Sequence, residues 1–111
     1  MRFEASNCIA VGVSDSLAAE RFYVDTLGFE VGERGGCYVE LRSGVLRLFL
    51  CEDEHGVCFD LPVDNIPSAE AFLTEHGCKI LKRARGEVFV VDPHGLKFCI
   101  SQITEKAATL R

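Results

Sequence analysis

The sequence predicts an α+β protein of eight strands and two helices, built as two βαβββ modules, and three observations carry that prediction. Sliding the 111-residue chain against itself by about 50 positions brings its halves into register, with Cys8 on Cys58, Val13 on Val63, Ala19 on Ala69, Glu20 on Glu70, Phe22 on Phe72 and Leu46 on Leu96. Each half opens with an alternating apolar run that passes into a run of helical period. A glycine, Gly28 in one half and Gly77 in the other, follows each helical run, as a left-handed C-terminal cap requires.

Taken in order, residues 7–13 alternate as a strand and 16–27 read as a helix, entered through Ser14-Asp15-Ser16. Three strand-like runs follow, at about 29–33, 37–42 and 45–51. They are broken by Gly35-Gly36 and Ser43-Gly44, which tolerate the positive φ of tight hairpins. The second half repeats the plan: a strand at 57–63, a helix at 67–76 announced by Asn65 and Pro67, and strands at about 78–82, 87–91 and 96–102. The breaks there are Ala84-Arg85-Gly86 and Asp92-Pro93-His94-Gly95. The boundaries are a single domain, 1–111, of two pseudo-repeats at about 6–52 and 56–103, with a short tail at 104–111.

Composition narrows the function classes. Apolar residues make up 48% of the chain, enough for one core without crosslinks, so the six cysteines are expected as thiols. The longest apolar run is far short of the ~20 residues of a membrane-spanning helix. Met1 is followed by Arg2, Phe3 and Glu4 rather than by a leader's apolar stretch, so a cytoplasmic protein is expected. A net charge of −5 offers no footprint for a phosphate backbone, which argues against nucleic acid as a partner. The basic cluster Lys82, Arg83 and Arg85 falls in a turn and reads as a solvated tip.

Two such modules, with Phe22-Tyr23 and Leu27-Gly28-Phe29 in the first and Val90-Val91-Asp92-Pro93-His94-Gly95 in the second, resemble the vicinal oxygen chelate superfamily. Glyoxalase I, the bleomycin resistance proteins and the extradiol dioxygenases belong to that group. The resemblance spans about residues 6–103 and implies a cupped eight-stranded mixed sheet with helices outside, a ligand inside, and chains paired as homodimers.

Alternation sorts side chains between helix face and cup. Ile9, Val11 and Val13, then Leu46, Leu48 and Leu50, then Phe59, Leu61 and Val63, and finally Leu96, Phe98 and Ile100 form the helix-facing rows. The opposite face then carries Tyr38, Glu40, Arg47, Phe49, Asp60, Val88, Val90, Lys97 and Ser101 as the expected ligand-binding cup. Cys51 faces the same way, while Cys37 and Cys78 sit at strand starts.

Metal-dependent members of the superfamily hold their ion with His, Gln or Glu at four cup positions. The resemblance places those positions on Cys8, Phe49, Cys58 and Cys99. A hard cation that activates oxygen or polarises a carbonyl prefers imidazole and carboxylate, so the usual lyase or dioxygenase chemistry is disfavoured. No cofactor is therefore expected. Three thiols at these places admit a soft ion such as Zn²⁺ or Cu(I), yet no Cys/His spacing supports it and buried cysteine commonly serves as an apolar filler. A catalytic thiol would need an adjacent cation, for which Lys97 and Arg47 are the candidates, and no histidine stands on a cup strand. His55 and His94 fall in turns, and His76 ends the second helix.

An apolar concavity with a few placed charges describes a small-molecule pocket. The expected function is a drug- or metabolite-binding protein of the glyoxalase/bleomycin resistance type, without the usual metal site. Glu40 and Asp60 offer charge to a cationic ligand and Tyr38 and Phe49 offer rings to stack on it. The competing expectation is that these carboxylates pair with Arg47 and Lys97. A metal-dependent lyase or dioxygenase, or soft-metal binding through Cys8, Cys58 and Cys99, are the alternatives.

Overall fold

In the computed structural model, which describes residues 3–52, 56–84 and 86–103, Asp15 and Asn65 do the same work in the two halves. Each has extended backbone, and its side-chain oxygen accepts the N–H three residues on, Ala18 at 3.0 Å and Ser68 at 2.9 Å. These caps satisfy donors that a helix start leaves open. Helix α1 (Ser16–Arg21) begins after the first cap and α2 (Ile66–Glu75) after the second, the latter with Pro67 in its opening turn.

The two helices end differently. Helix α1 runs on as a π-helical turn, Phe22–Thr26, whereas α2 is regular to its end. Six α-helical and five π-helical residues therefore lie between the caps of the first helix, against ten in the second. A π turn is a one-residue insertion into an α-helix. The repeat offset, 50 at the N-caps, accordingly becomes 49 at Gly28 and Gly77, both of which adopt positive φ.

The chain falls into two compact units: a first half, Asn7–Cys58, and a second half from Phe59 onward that also includes Phe3–Ser6. The first half holds β1 (Cys8–Val13), β2 (Glu30–Arg34), β3 (Tyr38–Ser43) and β4 (Leu46–Glu52) in the order β2-β3-β4-β1. Strand β1 lies parallel to β4 and the remaining pairs are antiparallel. The second half repeats this with β5 (Val57–Val63), β6 (Lys79–Ala84), β7 (Glu87–Val91) and β8 (Lys97–Gln102) in the order β5-β8-β7-β6, with β5 parallel to β8. Eight strands in mixed pairing with two helices make the α+β architecture that the sequence predicts. No helix among the described residues is long and apolar enough to cross a membrane.

Each half buries its own apolar cluster beneath its helix. In the first, Val39, Leu41, Leu48 and Leu50 are buried, with Ile9, Val11, Val13, Ala19, Tyr23, Val24 and Phe29 packed against them. In the second, Ala69 and Leu73 of α2 meet Leu61, Val63, Val88, Val90, Phe98 and Ile100. Fully burying one such aliphatic side chain contributes about 1.5–3 kcal/mol, so these rows hold helix to sheet.

The facing expected for β1, β4 and β5 holds, and β7 is a correction. Val88 and Val90 lie in the core under α2, paired with Ile100 and Phe98. The 50-residue offset fails there because β6 and β7 inherit the one-residue shift that begins at the π turn. Leu41 pairs with Leu48, but its counterpart paired to Phe98 is Val90, 49 residues on. From Leu41 to its partner Leu48 is seven positions and from Val90 to its partner Phe98 is eight, so the connection through Asp92–Leu96 takes in one more residue and restores the offset of 50 by β8. Leu96 lies in that connection and is exposed rather than buried, a second correction. Ion pairs from strand to helix keep the same frame: Arg34 to Glu20 and Arg83 to Glu70. The expected tail at 104–111, His55 and Arg85 lie outside the described residues.

Candidate functional site

The face turned away from α1 begins with the alternation of β3, which places Tyr38, Glu40 and Arg42 on one side of the strand. Strand register then sets Phe49 opposite Glu40, Arg47 opposite Arg42, and Cys8 of β1 beside Arg47. Glu40 is fully buried. Its Oε1 accepts from Arg42 Nη2 and from the Glu33 backbone N–H, both at 3.0 Å. Its Oε2 accepts from Arg42 Nε at 2.9 Å and from Arg47 Nε at 2.6 Å. Four donors match the roughly four lone-pair sites of a carboxylate, so this charge is fully satisfied.

The backbone is shaped for this clamp. Strand β2 shifts register between Val31 and Arg34, which aims the Glu33 N–H at Glu40. Gly32 sits over the carboxylate, and a Cβ there would stand 2.6 Å from Glu40 Oε1 and 2.8 Å from Arg42 Nε. Hydrogen bonds from Arg42, opposed by burial and reinforced by those from Arg47 and Glu33, hold the Glu40 carboxyl down at about 2.

Arg47 connects the clamp to an aromatic wall. Its guanidinium carbon lies 5.2 Å from the Phe49 ring centroid, and Phe49 meets Tyr38 edge-on at 5.5 Å. Arg47 Nη1 is 3.8 Å from Cys8 Sγ, which also lies 3.8 Å from Asn7 Oδ1.

The corresponding face of the second half is built differently. Asp60 of β5 accepts from Ser6 Oγ at 3.0 Å, from Ser101 Oγ at 2.8 Å and from Cys99 Sγ at 3.6 Å. Phe89, paired with Cys99, occupies the place that corresponds to Glu40, and Lys82 lies over its ring at 5.1 Å. Lys97 begins β8, paired with Val91 of β7.

The structure therefore redistributes the expected site residues. Tyr38, Glu40, Arg47 and Phe49 are brought together, with Cys8 beside them. Asp60, Ser101 and Cys99 form a second cluster, while Val88 and Val90 leave the site for the core. Glu40 is committed to two arginines and offers no charge to a cationic ligand. Sequence reading missed Arg42, Gly32, Ser6 and Phe89. Arg42 continues the period-2 row through Tyr38 and Glu40, and the offset of 49 between Gly28 and Gly77 was the signal for Phe89.

The residues at the metal positions implied by the resemblance do not fit such an ion. Phe49 carries no donor atom, Cys8 and Cys99 have the polar neighbours just described, and Cys58 is buried. Among the described residues no group of three or more His, Cys, Asp or Glu side chains is placed to hold a metal ion. Cys51, Cys58 and Cys99 are buried and Cys37 is exposed, and burial pushes the Cys78 thiol up. His76 caps α2, with Nδ1 2.8 Å from the Phe72 carbonyl oxygen, and the turn of His94 is tied by its N–H to Asp92 Oδ1.

No family model matches the sequence, and no curated protein matches it. Solved structures do match. A glyoxalase/bleomycin resistance protein/dioxygenase superfamily member from Vibrio splendidus is 22% identical with a TM-score of 0.64, over 91% of this chain and 98% of that one. Methylmalonyl-CoA epimerase from Streptomyces coelicolor, in complex with 2-nitronate-propionyl-CoA, is 20% identical with a TM-score of 0.61, over 92% of this chain and all (100%) of that one. Homoprotocatechuate 2,3-dioxygenase from B. fuscum is 24% identical with a TM-score of 0.62, over 92% of this chain but 33% of its own. With its repeated βαβββ order, its strand pairing and these likenesses, the chain has the vicinal oxygen chelate fold.

Proposed function

We propose that the protein binds a small organic molecule, a drug or a metabolite, on the strand face turned away from its helices and without an obligatory metal. The observation that carries this reading is the Arg47–Phe49–Tyr38 array, fixed from behind by the buried Glu40. Rings and a guanidinium held in one geometry lose little freedom when a ligand arrives, which is what preorganisation contributes to affinity. The fold supports the reading by analogy, since an epimerase of the same fold was solved with a CoA ester bound. A homodimer and cytoplasmic residence, expected from the sequence, belong to the same proposal.

Thermal denaturation against a panel of metabolites, drugs and divalent metals tests it. A ligand at ~100 Kd stabilises the fold by about 2.7 kcal/mol. Stabilisation by organic compounds in the presence of chelator is the expected result. Stabilisation that appears only after a divalent metal is added would favour a lyase or dioxygenase instead, and stabilisation by Zn²⁺ or Cu(I) alone would favour the thiol reading.

A further inference from the structure

We infer that the ligand of the first half's open face is a planar organic anion, a carboxylate or enolate attached to a flat ring, with Arg47 as its counter-charge. This deepens the small-molecule reading and rests on it. Glu40 has a fixed number of places to accept hydrogen bonds, and the two arginines and the Glu33 N–H fill them all. Glu30 and Glu33 act on Arg42, so the exposed charge beside the aromatic wall is the guanidinium of Arg47. The sign is the opposite of what a cationic drug would need.

Arg47 is placed to present that charge. Glu40 takes its Nε and Cys8 stands near Nη1, while Nη2 hydrogen bonds no acceptor among the described residues. Its side chain is 35% exposed, so the outward edge of the guanidinium is accessible, whereas Glu40 is not. Arg42 lies further toward the strand end, where Glu30 and Glu33 offset its charge. Glu40 is the carboxylate that acts on Arg47, through a hydrogen bond and its charge, against the like charge of Arg42.

Shape follows from the neighbours. The Phe49 ring supports the guanidinium, and Tyr38 meets Phe49 edge-on, so the two rings form an apolar wall beside a planar donor group. A flat ring bearing an anionic group fits both features at once: the oxygens meet the outward edge of Arg47 and the ring lies along the aromatic wall.

Benzoate, benzamide and benzamidinium share one planar shape and differ in charge, so they separate the inference from the reading beneath it. Each is titrated into the full-length, ¹⁵N-labelled protein and followed by amide shifts. Benzoate is expected to move amides around Arg47 and Phe49 and to bind roughly tenfold or more tighter than benzamide, with benzamidinium weakest. In Arg47→Met, benzoate falls to the level of benzamide. Arg47→Lys keeps a cation without the paired donors; there benzoate weakens severalfold yet still binds ahead of benzamidinium. The ligand ranking in the unaltered protein stands even where a variant fails to fold. Equal binding of the three, or benzamidinium tightest at the same amides, overturns the anion inference and leaves the small-molecule reading intact. Benzoate that binds either variant as it binds the unaltered protein also overturns it. Shifts with none of the three, or only away from this face, overturn both.

Discussion

Glu40 in the first half and Asp60 in the second are both carboxylates on strand faces turned away from the helices, yet they are satisfied in different ways. Glu40 is held by two guanidinium groups and a backbone N–H, and it is fully buried. Asp60 draws on the Ser6 and Ser101 hydroxyls and the Cys99 thiol. At the place corresponding to Glu40, the second half has Phe89. One module thus holds an arginine on an ionic scaffold, and the other sets an aromatic ring beside one hydroxyl-bound acid. A duplicated fold conserves which strands pair while its open faces diverge, because helix-side packing fixes the first and little besides the ligand constrains the second.

The sharpest way to break this contrast is to remove each acid. Glu40→Ala strands two arginines and a backbone donor, and is expected to lower stability by about 3–5 kcal/mol. Asp60→Asn loses a charge surrounded by neutral donors and should cost about 1 kcal/mol. Urea denaturation of the two variants measures the difference, and equal losses would refute the distinction drawn between the halves.

Acid gives the next largest effect. The Glu40 carboxyl is depressed from 4.5 to about 2, so the folded state binds its proton later than the unfolded state does. Its contribution to stability is complete above pH 4.5 and disappears as the pH falls toward 2, an effect on the order of 3 kcal/mol. Denaturation midpoints followed over that window should drop less in Glu40→Gln than in the unaltered protein. If the two curves run parallel, the clamp is not the source.

Gly32→Ala probes the same clamp from the backbone. A Cβ 2.6 Å from Glu40 Oε1 must displace a carboxylate that four donors hold, which should cost about 1–3 kcal/mol. In the Glu40→Ala background the same change should cost little, and a double-mutant cycle reads that coupling directly. The smallest effect is expected at the caps. Asp15→Ala and Asn65→Ala should each cost about 1 kcal/mol, because the two halves use the same device there. Thermal melts that differ widely between the two would show that the helices are not equally dependent on their starts.

Much of the fold was legible in the sequence because burial has a period. The alternation of Ile9, Val11 and Val13, or of Phe59, Leu61 and Val63, reports one buried face wherever the strand is straight. The reading failed at Val88 and Val90, where a shift of one residue exchanges the two faces of a strand. The site was less legible. Arg47 and Glu40 were expected as partners and Arg42 lies two residues along the same strand, but that the Glu33 N–H joins them depends on the shift in β2, which leaves no pattern in the sequence.

The π turn at Phe22–Thr26 carries a consequence for how such a protein changes length. An additional residue in a strand would misalign every rung beyond it, whereas a helix can take one in by loosening its pitch and a hairpin by widening its loop. This chain does both, first at the π turn and then at Asp92–Leu96, so its halves differ in spacing while their ladders stay in step. Connectors of this kind act as expansion joints: they let one half drift in sequence while its rungs keep their partners.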